Sequence, residues 1–188
     1  MTFDYQAARL TMVESQVRTS DVTDLHVQDA MRLAPRESLC PAGKKELAYA
    51  DAEIEYAPGL WLLRPRAIGK LLQALKPRPH EITLAIAAPY GAQVLKQIGC
   101  ACDEIAADKA PAKDKYDVIV VEGAVTEVPA AWCAALAEGG RLAVIVRHGP
   151  MGKTRLYERT GGQIVWREVF DAAAPFLPGL GPKAQFAF

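Results

Sequence analysis

At 188 residues the chain has the length of one domain, and at that size it buries roughly 70% of its unfolded surface, so it needs no metal or disulfide to hold it together. Its 22 basic residues balance its 22 acidic ones, which argues against nucleic acid as a partner. The apolar fraction of 51% and charged fraction of 23% are ordinary for a globular protein, and no apolar run approaches the roughly 18 residues of a membrane span. Residues 1–6 show no basic stretch leading into an apolar one, so no secretory signal, no membrane partner and a cytoplasmic location are expected. Cys40, Cys100, Cys102 and Cys133 complete no metal-ligand spacing and read as free thiols, with no metal expected.

Residues 4–19 read as a helix with Ala7, Ala8, Leu10, Met12, Val13 and Val17 mainly on one side. Residues 21–23 offer cap chemistry for a second helix carrying Leu25, Val27, Ala30, Met31 and Leu33, which Pro35 ends. A short helical stretch is expected at 44–49. Residues 51–63 look extended or irregular, with a turn at Pro58-Gly59. Residues 67–75 form a fourth helix bearing Ile68, Leu71, Leu72 and Leu75, and Lys76-Pro77-Arg78-Pro79 then breaks the chain. The expected organisation is a single domain, 1–188, with a mostly helical part at 1–79 and an α/β part at 80–188.

Beyond the break, strands and helices alternate. Residues 82–86 are a strand, 92–98 a helix with Gly99 at its C′ position, and 116–121 a continuous apolar strand of the kind buried on both faces. Residues 129–137 are expected as a helix stopped by Gly139-Gly140, followed by a strand at 141–146. Residues 156–159 and 163–170 read as strands around a Gly161-Gly162 turn, and 184–188 as a final edge strand. Alternation of this kind predicts an α/β fold, a doubly wound and largely parallel sheet, with any ligand at the carboxyl ends of the strands. Those ends are residues 87–91, 122–126 and 147–150.

Three segments together resemble the protein-L-isoaspartate O-methyltransferase family, in its short, divergent bacterial branch. Met12-Val13-Glu14-Ser15-Gln16-Val17-Arg18 and Asp29-Ala30-Met31-Arg32-Leu33-Ala34-Pro35-Arg36 are similar to the family's opening pattern. Leu47-Ala48-Tyr49-Ala50-Asp51 is similar to its "AYxD". Tyr116-Asp117-Val118-Ile119-Val120-Val121, Glu127-Val128-Pro129 and Gly139-Gly140-Arg141-Leu142 follow its "YDxIxV … EVP … GGRL". The resemblance implies a Rossmann-like sheet of the class I methyltransferase type. It also implies methyl transfer from S-adenosylmethionine to the carboxylate of an isoaspartyl residue in a damaged protein or peptide, with positioning as the main catalytic device.

Three departures from that pattern predict activity that is reduced or lost. In the cofactor loop the family's acid falls on Ala85, its first two glycines fall on Ala87 and Pro89, and only Gly91 is kept. Only residues 100–115 separate the first α/β helix from the Tyr116 strand, and a crossover between parallel strands takes about a dozen by itself, so about one strand and one helix are missing. In the acceptor loop Leu63 replaces a serine, leaving Arg64 and Arg66 to attract a carboxylate.

The cofactor-binding residues carried over are Gly91, Glu122 and Asp103, with Glu104 and Asp108 as further remnants. The resemblance supplies no catalytic side chain here. His26, His80 and His148 are scattered, and Trp61, Trp132 and Trp166 read as core or interface. The alternative is a non-catalytic binding or interaction protein on this scaffold. Loss of a strand and helix would bare a sheet edge, for which a homodimer is one remedy.

Overall fold

The computed structural model describes residues 3–182. It is an α/β fold built on a six-stranded mixed sheet in the order β4-β3-β5-β6-β7-β8. β3 (Ile82–Ile86), β4 (Ala101–Ile105), β5 (Tyr116–Val125) and β6 (Leu136–Arg147) run parallel, and β7 (Gly152–Thr160) and β8 (Gln163–Ala172) are antiparallel. A separate hairpin pairs β1 (Ile54–Ala57) with β2 (Leu60–Leu62).

Local chemistry sets most helix ends. α1 (Tyr5–Met12) starts at Asp4, whose carboxylate accepts from the Ala7 N–H at 3.0 Å, and helical winding continues through Ser20. α2 (Leu25–Leu33) is capped by Asp24 rather than by residues 21–23, the carboxylate accepting from His26 and Val27 amides. α3 (Pro65–Leu75) opens on proline and closes on left-handed Lys76, just ahead of Pro77. Its side chains at 68, 71, 72 and 75 are all fully buried. α4 (Pro89–Ile98) begins three residues earlier than its apolar pattern suggests, again with proline in the first turn, and ends at Gly99 with φ 99°.

Alternate residues of the central strands enter opposite layers. Ala85, Val118, Val120, Ala143 and Ile145 join the side chains of α1–α4 in one cluster. Leu84, Ile86, Ile119, Val121, Leu142 and Val144 join Trp132 and Leu177 in the other. The first cluster runs without interruption from Met12 to Ala174, across the Lys76–Pro79 break. Arg141 fastens the same seam: it donates to the Lys76 carbonyl at 2.7 Å and pairs with Glu81 at 3.0 Å.

Three local expectations change, while the shortened segment 99–115 keeps to expectation. The helix expected at 129–137 is only α5 (Ala130–Ala134), because β6 begins at Leu136 and takes Gly139-Gly140 into its first half. β5 runs on to Val125, with a bulge between Val120 and Ala124, so Glu122 lies inside a strand rather than in the loop after it. The segment 99–115 holds one strand, β4, and no helix, and residues 106–115 cross directly to β5. The short helical stretch near 44 is a 3-10 turn, Ala42–Leu47. The strand expected at 184–188 lies outside the described residues. No helix among the described residues is long and apolar enough to cross a membrane.

Candidate functional site

The carboxyl end of β3 leads into α4 through a tight turn at Ala87 and Ala88. Ala87 has φ +46°, a left-handed conformation that suits glycine and strains any residue with a Cβ. Its N–H donates to the Ile105 carbonyl at 2.9 Å, which holds the turn against the end of β4. Pro89 fills the first helical position and has no N–H to offer. Gly91 follows in the same helical turn, and its N–H donates to Glu122 Oε1 at 2.8 Å. A Cβ on Gly91 would sit 3.1 Å from Val120 Cγ1 and 3.6 Å from Glu122 Oε1. This glycine therefore serves close packing of α4 on β5.

Glu122 reaches under α4 from the bulge of β5 and is 1% exposed. Burial pushes its carboxyl up to about 7, against the opposing pull of the Arg36 charge and the Gly91 and Leu63 amides. Arg36 is fully buried beside it. Its Nε donates to the Ala48 carbonyl at 2.8 Å, its Nη2 to the Leu63 carbonyl at 2.6 Å, and its guanidinium lies 4.8 Å from the centre of the Tyr90 ring. Tyr90 is itself fully buried, and burial raises its phenol well above the usual range. Arg36, Tyr90 and Glu122 thus form a polar knot beneath the turn, linking the helical part of the chain to the sheet. No periodicity announces it; the sequence signals are Arg36 at the end of the family's opening pattern and Glu122 at the end of the apolar run.

Beside the turn lies a cavity of about 280 Å³, walled by Tyr56, Leu60, Ala85, Ala87, Pro89 and Ile105 among others, with Glu104 at its margin. It falls just below the roughly 300 Å³ at which ligand pockets begin. Glu104 is held by Lys96 at 2.6 Å. Asp103 does not line this cavity. Its carboxylate accepts from Lys115 Nζ at 2.7 Å and the Tyr116 hydroxyl at 3.0 Å, and the Lys115 bond holds it below the usual carboxylate range. Asp108 is an exposed partner of Lys109 at 3.4 Å. The structure thus joins Gly91 to Glu122 and leaves Asp103 on the far side of β4.

In the acceptor loop, Leu63 is fully buried and faces the core. Arg64 pairs with Glu53 at 2.7 Å and Arg66 with Asp51 at 3.4 Å. Both arginines line a separate cavity of about 410 Å³, with Lys70, Met151 and Phe170. A strap at 174–180 runs over the end of β5: the Ala124 N–H donates to the Pro175 carbonyl, the Leu177 N–H to the Ala124 carbonyl, and the Thr126 N–H to the Leu180 carbonyl, at 2.8–2.9 Å. Among the described residues no cluster of His, Cys, Asp or Glu is arranged to hold a metal ion.

A family model described as protein-L-isoaspartate(D-aspartate) O-methyltransferase matches residues 106–178. A protein-L-isoaspartate O-methyltransferase of Rhodopseudomonas palustris is 31% identical over 202 residues, covering 92% of this chain and 93% of the relative. That of Methylorubrum populi is 30% identical over 183 residues, covering 82% and 85%. This chain belongs to the protein-L-isoaspartate O-methyltransferase family. The fold agrees. A Plasmodium falciparum chain described as such a methyltransferase, solved in complex with S-adenosyl-L-homocysteine, aligns with a TM-score of 0.73 at 14% identity, covering 90% of this chain and 97% of that one.

Within the methyltransferase family, S-adenosylmethionine brings a charged amino-acid end, a ribose diol and an adenine ring, all of which need polar partners. The turn in this chain offers few. Pro89 has no donor, the Gly91 donor is already engaged by Glu122, and the cavity wall is mostly alanine and other apolar side chains. Glu104 is the one carboxylate at its rim. The residues in this arrangement do not fit the whole cofactor.

Proposed function

We propose that this chain is a degenerate isoaspartyl methyltransferase. The reaction its site descends from is S-adenosylmethionine-dependent methylation of isoaspartyl carboxylates in damaged proteins, and that turnover is now severely reduced or lost. The observation that carries this reading is the β3–α4 turn. Its backbone keeps a glycine conformation at Ala87, while the Gly91 amide is consumed by an internal carboxylate, Glu122. The Gly91 amide, at a helix N-terminus that would otherwise receive an anionic group, is already bonded to the Glu122 carboxyl. Leu63 in the acceptor loop supports the same reading, since a buried leucine offers no hydroxyl to a substrate.

The test is isothermal titration with S-adenosylmethionine, together with methyl transfer to an isoaspartyl peptide, beside an active family member. Expected are no measurable heat below millimolar cofactor and a rate at least about 100-fold below that enzyme, the cost of losing one or two well-placed interactions. Micromolar binding with rapid methylation would overturn the proposal. A second reading, a non-catalytic interaction protein on this scaffold, is favoured by one observation: the outer strand β8 exposes apolar side chains on both faces.

A further inference from the structure

The two edges of the sheet differ. β4 is five residues long and carries charged Asp103 and Glu104, the usual protection against edge-to-edge pairing. β8 is ten residues long; its charged Arg167, Glu168 and Asp171 and a bulge at Val169 lie in its second half, and the first half, Gln163 to Trp166, has no proline, glycine or charge. Residues 163–169 are all exposed, and Ile164, Val165, Trp166 and Val169 are 37–52% accessible. An exposed apolar half-strand of this kind is a template for another strand.

The geometry restricts what that strand is. Gly161 and Gly162 both have positive φ and form the two-residue turn of the β7–β8 hairpin, with Thr160 opposite Gln163. In such a hairpin the residues flanking the turn are hydrogen-bonded to each other, and the pattern alternates along the strand. Gln163 and Val165 therefore aim their backbone groups at β7, while Ile164 and Trp166 aim theirs outward. If a second copy pairs antiparallel through β8, two-fold symmetry makes one residue oppose itself.

Centring on Arg167 sets guanidinium against guanidinium, and centring on Glu168 sets carboxylate against carboxylate. Centring on Trp166 places Ile164 against Glu168. Centring on Val165 places Val165 against itself, Ile164 against Trp166 twice and Gln163 against Arg167 twice, with no like charges opposed. That register joins apolar side chains and lets Ile164 and Trp166 exchange main-chain hydrogen bonds across the axis. The formal net charge of zero leaves no long-range repulsion between copies.

We propose that the chain forms a two-fold homodimer by antiparallel pairing of β8 with β8 of a second copy, centred on Val165, which joins the two sheets into one. The interface lies at the end of the sheet opposite the edge bared by the missing strand and helix, and it does not depend on the methyltransferase reading.

The test combines cross-linking and sedimentation, neither of which involves S-adenosylmethionine. Val165 is a non-hydrogen-bonded central pair with Cα atoms about 4.5 Å apart, within disulfide range. In a background where half-buried Cys102 and Cys133 are changed to serine, Val165→Cys is expected to form a covalent dimer under mild oxidation at micromolar protein. Val169→Cys, which faces the partner's turn in this register, is not. Sedimentation of the unmodified protein is expected to show a dimer, and Ile164→Lys to weaken it at least about 30-fold while leaving the far-ultraviolet circular dichroism of the folded chain unchanged, because the side chain is exposed in the single chain. A clean monomer at high micromolar concentration, or cross-linking from Val169→Cys as efficient as from Val165→Cys, would overturn the proposal.

Discussion

β3 and β5 lie side by side in one sheet, yet their carboxyl ends differ in what they keep. β5 keeps the family's residue pattern from Tyr116 to Val121, and its end is a bulge carrying Glu122. β3 loses the family's residues at Ala85, Ala87 and Pro89, but its end keeps the backbone turn, down to the left-handed φ at Ala87. The contrast shows what holds such a turn. The path is imposed by the buried strands, by the Ile105 carbonyl and by the knot beneath α4, so it survives loss of the glycines that made it easy. The chemistry depends on those residues individually, which is why the function proposed for this chain is a degenerate one.

The sharpest way to break this picture is to remove Arg36. Arg36→Met leaves the Ala48 and Leu63 carbonyls without their donor and takes away the cation facing Glu122. A loss of about 3–5 kcal/mol is expected in denaturant unfolding. A loss below about 1 kcal/mol would show that the knot does not hold the turn.

Next is pH. Glu122 titrates near 7 in the folded chain against an ordinary value of 4.5, so between those values the folded chain holds a proton that the unfolded chain has released. Its contribution to stability therefore falls as pH rises from about 4.5 to about 7 and is level above, a change on the order of 3 kcal/mol. Glu122→Gln is expected to flatten that part of the stability profile, measured by chemical denaturation across the pH range.

Gly123→Ala comes third. A Cβ there would meet the Leu177 side chain at 2.6 Å, so the strap must shift. The expected cost is about 2 kcal/mol, with faster amide exchange at Leu177 and Leu180 as the local reading. The smallest effect has the opposite sign. Ala87→Gly relieves the left-handed strain and should stabilise the chain by about 1 kcal/mol in thermal unfolding. No gain would mean that the turn at Ala87 is not strained.

Much of the architecture was legible in sequence. The continuous apolar run at 116–121 announced a strand buried on both faces, and 68, 71, 72 and 75 announced the buried stripe of α3. The Lys76–Pro79 break marked a real change of rhythm but not of core, because side chains before and after it fill one cluster. The end of β5 was misread for a physical reason: Glu122-Gly123 carries loop composition, and only pairing with β6 on one side and the strap on the other keeps it extended. Gly139-Gly140 was read as a stop because glycine weakens both helix and strand, yet β6 spans the pair, which lies in the register shift between the Tyr116–Leu136 and Val118–Arg141 partners.

At the candidate site, residue identities alone showed which groups were missing, since a proline has no N–H and an alanine has no carboxylate wherever they sit. Family membership and the α/β rhythm were likewise written in local patterns of hydrophobicity and spacing. What tertiary structure decided is where the remaining polar groups went. Glu122, Arg36 and Tyr90 are far apart in sequence and meet only because β5, the loop after α2 and α4 pack on one another. Asp103 was drawn away from the cleft by Lys115 and Tyr116, because adjacent residues of a strand point to opposite faces. Burial and cross-strand register are long-range properties, and no window of the sequence contains them.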